Sequence, residues 1–153
     1  MSDRKVAIIC SKGGLDEAYP ALILANAARM SGIDAFVFFT FYGLDVITEK
    51  RVDSLHVNMV GNPSSPMPTM LAGLPGMENI AAKMMQKRMD ALGLPTAREM
   101  IQTLHDSGAQ LYACQLAMEM MDIQPTDLVE QVEGVITAGD FYELADGAQI
   151  IFT

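Results

Sequence analysis

Cysteine is the most reactive side chain in this sequence, and one of its two cysteines stands where a strand should give way to a helix. Residues 111–114 are apolar and β-compatible, and helix formers follow from Gln115. Open α/β sheets bind ligands at the carboxyl ends of their strands. A helix N-terminus there offers unpaired N–H groups and partial positive charge, which favour the reactive thiolate. The junction predicts a reactive Cys114; the alternative is an inert buried thiol, a common role for free cysteine.

Other polar residues follow the predicted strands closely enough to share that edge of the sheet. Lys12 would lower the pKa of a nearby thiol by stabilising its charged form, unless it is only a solvated turn residue. Such an edge could hold a small anionic or sulfur-bearing group. The candidate binding residues are Cys10, Ser11, Lys12, Gly13, Thr40, Tyr42 and Gln115.

Other chemistries have little support. His56 and His105 fall in segments that should lie elsewhere on the sheet, which argues against a Cys–His pair. The turn Ser-Lys-Gly-Gly at residues 11–14 is neither a Walker loop nor a dinucleotide fingerprint. No spacing typical of metal ligands occurs, so neither a metal nor another cofactor is expected.

Composition limits the class of protein. The length of 153 residues predicts one domain, residues 1–153, and half of the residues are hydrophobic, as expected of a packed globule. A net charge of −9 argues against a nucleic-acid partner. No stretch reaches the roughly 20 apolar residues of a membrane span. Two cysteines in apolar runs suit a reducing compartment, so a cytoplasmic location is expected.

Strand-like and helix-like segments alternate along the chain, which predicts a doubly wound α/β sheet that is mostly parallel. A helix after residue 14 should hold Pro20 in its first turn and end at Gly32. Residues 55–60 read as either an edge strand or an extended loop. Strands are predicted at 5–10, 33–39, 111–114 and 149–153, with a glycine-bounded segment at 134–139. Further helices are predicted at 44–48, 78–92, 96–106 and 140–145, with a helical turn at 125–130.

Residues 61–76 contain four of the seven prolines, a density that should exclude regular structure. Met67, Met70, Leu71 and Leu74 make the same segment apolar. It should therefore pack on something, either as a lid over the Cys114 pocket or as a contact with another subunit.

Distinctive stretches occur at residues 11–13, 15–16, 18–20, 38–43, 61–63, 67–68, 74–78 and 113–115. Together they resemble the DsrE/DsrF/DrsH-like family, in its DsrE2-type branch. The resemblance implies a flavodoxin-like fold with a five-stranded sheet and helices on both faces, a homo-oligomer, and cytoplasmic sulfur transfer. The cysteine at the position of Cys114 would carry sulfur as a persulfide or thiosulfonate, as a carrier or a sulfurtransferase. The implied partners are a TusA-like sulfur carrier and rhodanese-like proteins.

Two other functions stay open. Residues 115–124 contain no second cysteine, so a two-thiol relay would have to use Cys10. Some members of the family are labelled peroxiredoxin-like, which would make this chain a thiol redox protein. That function would need a Cys10–Cys114 disulfide. A non-catalytic oligomeric binding module would leave Cys114 inert and use residues 61–76 to bind a partner.

Overall fold

A computed structural model describes residues 3–57, 64 and 68–153. Its strands form one fully parallel sheet in the order β4-β3-β2-β1-β5. The strands are β1 Lys5–Cys10, β2 Asp34–Phe39, β3 Gln110–Cys114, β4 Gly134–Ile136 and β5 Gln149–Phe152. The helices are α1 Leu15–Met30, α2 Thr69–Ala72, α3 Met77–Ala91, α4 Ala97–Asp106, α5 Gln115–Met120 and α6 Ala138–Leu144, with 3₁₀ helices at Phe41–Ile47 and Pro125–Asp127.

The sheet is covered by helices on both faces, as predicted. On one face α1 packs against β1, β2 and α4. On the other face Phe141 of α6 packs its ring against Phe36 and Phe38 of β2. The layered architecture expected of a flavodoxin-like fold, a parallel sheet between two layers of helices, is thus confirmed. Its strand order is β4-β3-β2-β1-β5. None of the helices within residues 3–57 and 68–153 is long and apolar enough to cross a membrane.

The central strand β2 is buried from Ala35 to Phe39, which explains its unbroken apolar sequence. Residues 55–57 form no strand, so the edge opposite β5 is supplied by β4. The remaining residues of that predicted segment, 58–60, lie outside the described residues.

Helix α1 begins too early for Pro20 to lie in its first turn, where the sequence analysis placed it. The Gly14 carbonyl accepts hydrogen bonds from the N–H groups of Glu17 and Ala18, so the helix starts at Leu15. Pro20 is therefore its sixth residue, and placing it in the first turn was wrong. Pro20 has no N–H to donate to the carbonyl oxygen of Asp16. Because Asp16 is exposed, water can donate a hydrogen bond to that oxygen instead.

Two other predictions need correction. Residues 41–47 form a 3₁₀ helix that starts three residues before the short helix predicted at 44–48. Within residues 61–76, the segment Thr69–Ala72 is helical despite the prolines around it. Pro68 stands before this helix, where a missing N–H does no harm.

Helix α4 begins at the capping box that the sequence predicts. The Thr96 side chain accepts a hydrogen bond from the Glu99 N–H, and the Glu99 carboxylate accepts one from the Thr96 N–H. Such a box satisfies two N–H groups that would otherwise lack partners.

Gly43 allows the 3₁₀ helix to cross the end of β1 at very short range. A Cβ at residue 43 would lie 2.0 Å from the Cys10 carbonyl oxygen, which belongs to sheet backbone. The Thr40 N–H donates to that same oxygen at 3.0 Å. Residues 40–43 are thereby fixed over the carboxyl end of the sheet.

Replacing Gly43 with alanine should therefore destabilise the fold. We expect Gly43→Ala to lower the free energy of unfolding by roughly 1–3 kcal/mol or more, the cost of overpacking. The matched control is Gly139→Ala, where the added Cβ would meet its nearest neighbour, Thr137 Oγ1, at 3.6 Å. Urea denaturation of both variants measures the difference, and equal losses would contradict the close contact.

Candidate functional site

Cys114 lies where the sequence predicts it, at the junction of β3 and α5. It is the last residue of β3 and the N-cap of α5, with extended backbone angles of φ −77° and ψ 117°. Its side chain makes no capping hydrogen bond, and the residue is 8% exposed. Helix α5 has only six residues, so it adds first-turn N–H groups but little dipole. The thiol is thus free of a disulfide, and it is buried at the rim of the sheet.

Cys10 has a different environment. It is fully buried, and its Sγ donates to the Lys12 carbonyl oxygen at 3.5 Å. Burial raises the pKa of Cys10 from 9.0 to about 12, although that hydrogen bond works in the opposite direction. Cys10 therefore has the character of a core residue that stays protonated.

The two cysteines are too far apart for a disulfide. Strand β2 lies between β1 and β3, so two inter-strand spacings, roughly 9.5 Å, separate their backbones. Tyr112 shares the sheet face of Phe36, and by alternation Cys114 lies on that face too. Cys10 is in register with Phe39, which faces the other side. A disulfide needs Cα atoms within about 7 Å, so this geometry disfavours the redox alternative.

Ser11 and Thr40 hold the strand ends together. The Ser11 N–H and hydroxyl both donate to the Thr153 carbonyl, at 3.1 and 2.7 Å. The Thr40 N–H donates to Cys10. Both residues thus lie at the predicted edge of the sheet. The Ser11 N–H and hydroxyl and the Thr40 N–H already donate hydrogen bonds within the fold.

Lys12, Gly13 and Tyr42 line a cleft of about 800 Å³. A Cβ at residue 13 would lie 2.2 Å from the Tyr42 carbonyl oxygen, so glycine is required for this close approach. The Lys12 ammonium lies 3.9 Å from a Glu17 carboxylate oxygen. Cys114 does not belong to the lining of this cleft.

Other polar residues that complete this cleft were not predicted as site residues. Arg51 lies 3.5 Å from Asp45, and His56 is also part of the lining. Burial raises the pKa of Asp45, against the effect of the nearby Arg51 and His56 charges. The sequence contains one signal for this group: the run of charged residues at 49–51 comes soon after the second strand.

Gln115 lies in a second groove, of about 350 Å³, beside the Cys114 junction. Its amide donates to the Glu119 carboxylate at 3.0 Å. Asp122 and Val135 contribute to the same groove. The residues predicted to form one site therefore divide between a cleft at the end of β1 and a groove beside α5.

Fold and site together define a class: parallel α/β proteins with a free thiol at the carboxyl edge of the sheet. The model of the DsrE/DsrF/DrsH-like family matches residues 2–152, and the chain belongs to this family. It is 34% identical over 158 aligned positions to the sulfur carrier protein DsrE2 of Allochromatium vinosum, covering 98% of both chains. It is also 22% identical to the uncharacterized protein YrkE of Bacillus subtilis, covering 97% of this chain and 96% of that one.

Two solved structures share the fold. The ychN protein from E. coli superimposes with a TM-score of 0.60 at 13% identity, over 98% of this chain and 99% of that one. MTH1491 from Methanobacterium thermoautotrophicum, a protein of unknown function, gives 0.55 at 14% identity, over 99% of this chain and 100% of that one. At these identities the likeness concerns the fold alone.

The burial of Cys10 predicts how it responds to alkylation. With a pKa of about 12, only about one part in ten thousand of Cys10 is thiolate at pH 8. In a Cys114→Ser variant, iodoacetamide should therefore leave the native protein unmodified and add one group in urea. Intact mass measures both reactions. Labelling of the native variant at the rate seen in urea would contradict the buried environment.

Proposed function

We propose that this protein carries sulfane sulfur on Cys114, as a persulfide or thiosulfonate, within a sulfur-transfer system. Membership of the family and the similarity to a sulfur carrier protein support the sulfur-transfer role. The observation that carries the assignment to Cys114 is its position as a free thiol ending β3 at the carboxyl edge of the sheet.

The proposed reaction is thiolate exchange on a persulfide. The Cys114 thiolate attacks the outer sulfur of a donor R–S–SH and forms a new S–S bond. The donor S–S bond breaks, and R–S⁻ leaves with the electron pair. The outer sulfur keeps its proton, so the exchange needs no external oxidant. Delivery to an acceptor thiolate is the same step in reverse.

The location of the thiols supports Cys114 over Cys10. Cys10 is fully buried and its pKa is raised to about 12, so it would attack a donor slowly. Cys114 lies at the sheet edge beside a groove that contains Gln115. First-turn N–H groups of α5 and the Gln115 amide are the nearest groups that could hold an anionic adduct.

Lys12 stays a predicted contributor to thiolate stabilisation. Its ammonium is 3.9 Å from Glu17, so any effect on Cys114 competes with that ion pair. Tyr42 is 67% exposed and can contact a ligand from the cleft that it shares with Lys12.

We further propose a cytoplasmic location, because such a location suits two free thiols. We also propose TusA-like and rhodanese-like partners, which the family relationship suggests.

Sulfur loading should depend on Cys114 alone. Incubation with polysulfide should add the mass of one sulfur atom to the wild-type protein and nothing to Cys114→Ser. Intact mass spectrometry with and without a reductant measures the adduct. The matched control is Cys10→Ser, which should load like wild type, and an adduct that survives in Cys114→Ser would move the site to Cys10.

We also propose a homo-oligomer whose interface includes α2 and the turn after it. Met70, Leu71 and Leu74 are 89%, 48% and 50% exposed, and Ile80 and Met84 of α3, the helix that α2 contacts, are exposed as well. Groups of exposed apolar side chains of this kind are typical of interaction sites. Met67, which the sequence adds to the group, lies outside the described residues.

Charges on this surface should therefore shift the protein toward monomer. We expect Met70→Glu combined with Leu71→Arg to lower the sedimentation coefficient, because burying either charge in an interface is costly. The matched control is Met30→Glu, at a methionine that is 82% exposed at the end of α1. A wild-type protein that sediments as a monomer at micromolar concentration would contradict the interface.

A further inference from the structure

Strand β5 forms an open edge of the sheet. It pairs with β1 on one side, and among the described residues no strand pairs with its other side. It also lacks the features that usually protect such an edge. Residues 147–153 contain no charged side chain and no proline, and the register with β1 runs from Gln149 to Phe152 without a bulge.

The opposite edge of the sheet is protected. Strand β4 has only three residues, Gly134–Ile136. Glu130 and Glu133 precede this strand, and Asp140 follows it. Short length and nearby charge are two ways in which natural proteins block edge-to-edge association. Of the two edge strands, β5 is therefore the one suited to pairing with another strand.

Alternate residues of β5 direct their backbone groups away from β1. The Thr153 N–H donates to the Ile9 carbonyl, and the Thr153 carbonyl accepts from the Ser11 N–H, so both groups of Thr153 face β1. Along a strand, the residues that bond to one neighbour recur at every second position. Ile150 and Phe152 therefore direct their N–H and C=O groups outward.

The side chains of the same two residues are apolar and exposed. Ile150 is 48% exposed and Phe152 is 70% exposed. Phe152 is in register with Ile9, and Ile9 is in register with Phe38. Phe38 contacts Phe141 of α6, so both exposed side chains lie on the face of the sheet that α6 covers. The edge thus combines outward backbone groups with apolar side chains.

We propose that β5 pairs with β5 of a second copy of this chain, antiparallel and about a two-fold axis at Ile151. Ile150 would lie opposite the partner's Phe152, and each such pair would exchange two backbone hydrogen bonds. The same contact would be made twice, as two-fold symmetry requires, and the two sheets would become one. This interface is separate from the one proposed at α2, and it does not use Cys114.

The available backbone groups favour the axis at Ile151. An axis at Ile150 would place Phe152 opposite the partner's Ala148. The Ala148 N–H already donates to the Ala145 carbonyl, so that pair would lack a donor. The axis at Ile151 uses the outward groups of Ile150 and Phe152 alone. It also places a β-branched side chain beside an aromatic one, which is a favourable cross-strand pair.

Charge favours a second copy as the occupant. The net charge is −9, so two copies repel each other wherever their acidic surfaces meet. Residues 147–153 carry no charged side chain, and Asp146 would lie further from the axis than the partner's Thr153. No like charges would therefore face each other across the two strands. An uncharged edge gives no attraction to a basic or an acidic partner, whereas it is complementary to itself.

Disulfide cross-linking tests the register. In a Cys114→Ser background, Ile151→Cys would face its own copy in a non-hydrogen-bonded pair, with Cα atoms about 4.5 Å apart and within disulfide range. The matched control is Phe152→Cys, whose two copies would be offset by two residues and roughly 8 Å apart, beyond that range. On mild oxidation with diamide, Ile151→Cys should form the covalent dimer at least about tenfold faster than the control, because pairing makes the reaction effectively intramolecular.

A charge on the edge tests the pairing itself. We expect Phe152→Lys to lower the particle mass in sedimentation equilibrium by a factor of about two, since a lysine on an edge strand blocks a two-fold contact. The matched control is Met30→Lys, at a methionine that is 82% exposed at the end of α1, and it should keep the wild-type mass. In the wild type, amide exchange at Ile150 and Phe152 should slow as protein concentration rises.

Three results would overturn the edge pairing. They are equal cross-linking rates for the two cysteine variants, an unchanged particle mass in Phe152→Lys, and amides at residues 150 and 152 that exchange equally fast at every concentration. The cross-linking test stays decisive if Phe152→Lys does not fold.

Failure of the other proposals is distinguishable. Loss of the α2 interface in Met70→Glu with Leu71→Arg should leave the cross-linking of Ile151→Cys unchanged. Failure of the carrier function would appear as the absence of polysulfide loading at Cys114, and it would not alter the particle mass.

Discussion

The parallel pairing of β1, β2 and β3 in a single register is the constraint on which the candidate site depends. Cys10 pairs with Phe39, and Phe39 pairs with Ala113, so all three strands end within one residue of the same level. This alignment brings the segments that follow the strands to one edge of the sheet. It also separates what lies there, because the buried strand β2 stands between the two thiols.

This separation gives the two cysteines different chemistry. Cys10 points into the layer beneath α1, where burial keeps it protonated. Cys114 ends its strand at the rim of the sheet and is the N-cap of α5. A one-thiol carrier fits this arrangement better than a two-thiol shuttle, since no bond between the cysteines can form without moving β2.

Charge then adds a second level of organisation. The basic residues near the sheet edge line the cleft at the end of β1, and Glu119 and Asp122 line the groove beside α5. The cleft is balanced internally, because Lys12 lies close to Glu17 and Arg51 lies close to Asp45. Among the described residues, the lining of the groove beside α5 includes two carboxylates and no lysine or arginine.

The sequence by itself determined the local features of this protein. Buried strands such as Asp34–Phe39, the capping box at Thr96 and the strand-to-helix change at Cys114 depend on residues close in the chain, so their patterns predict them. Tertiary structure decided the rest, because the partners are distant in sequence. Only the fold brings Gly43 against Cys10, pairs Arg51 with Asp45 across the cleft, and places Val135 beside Glu119.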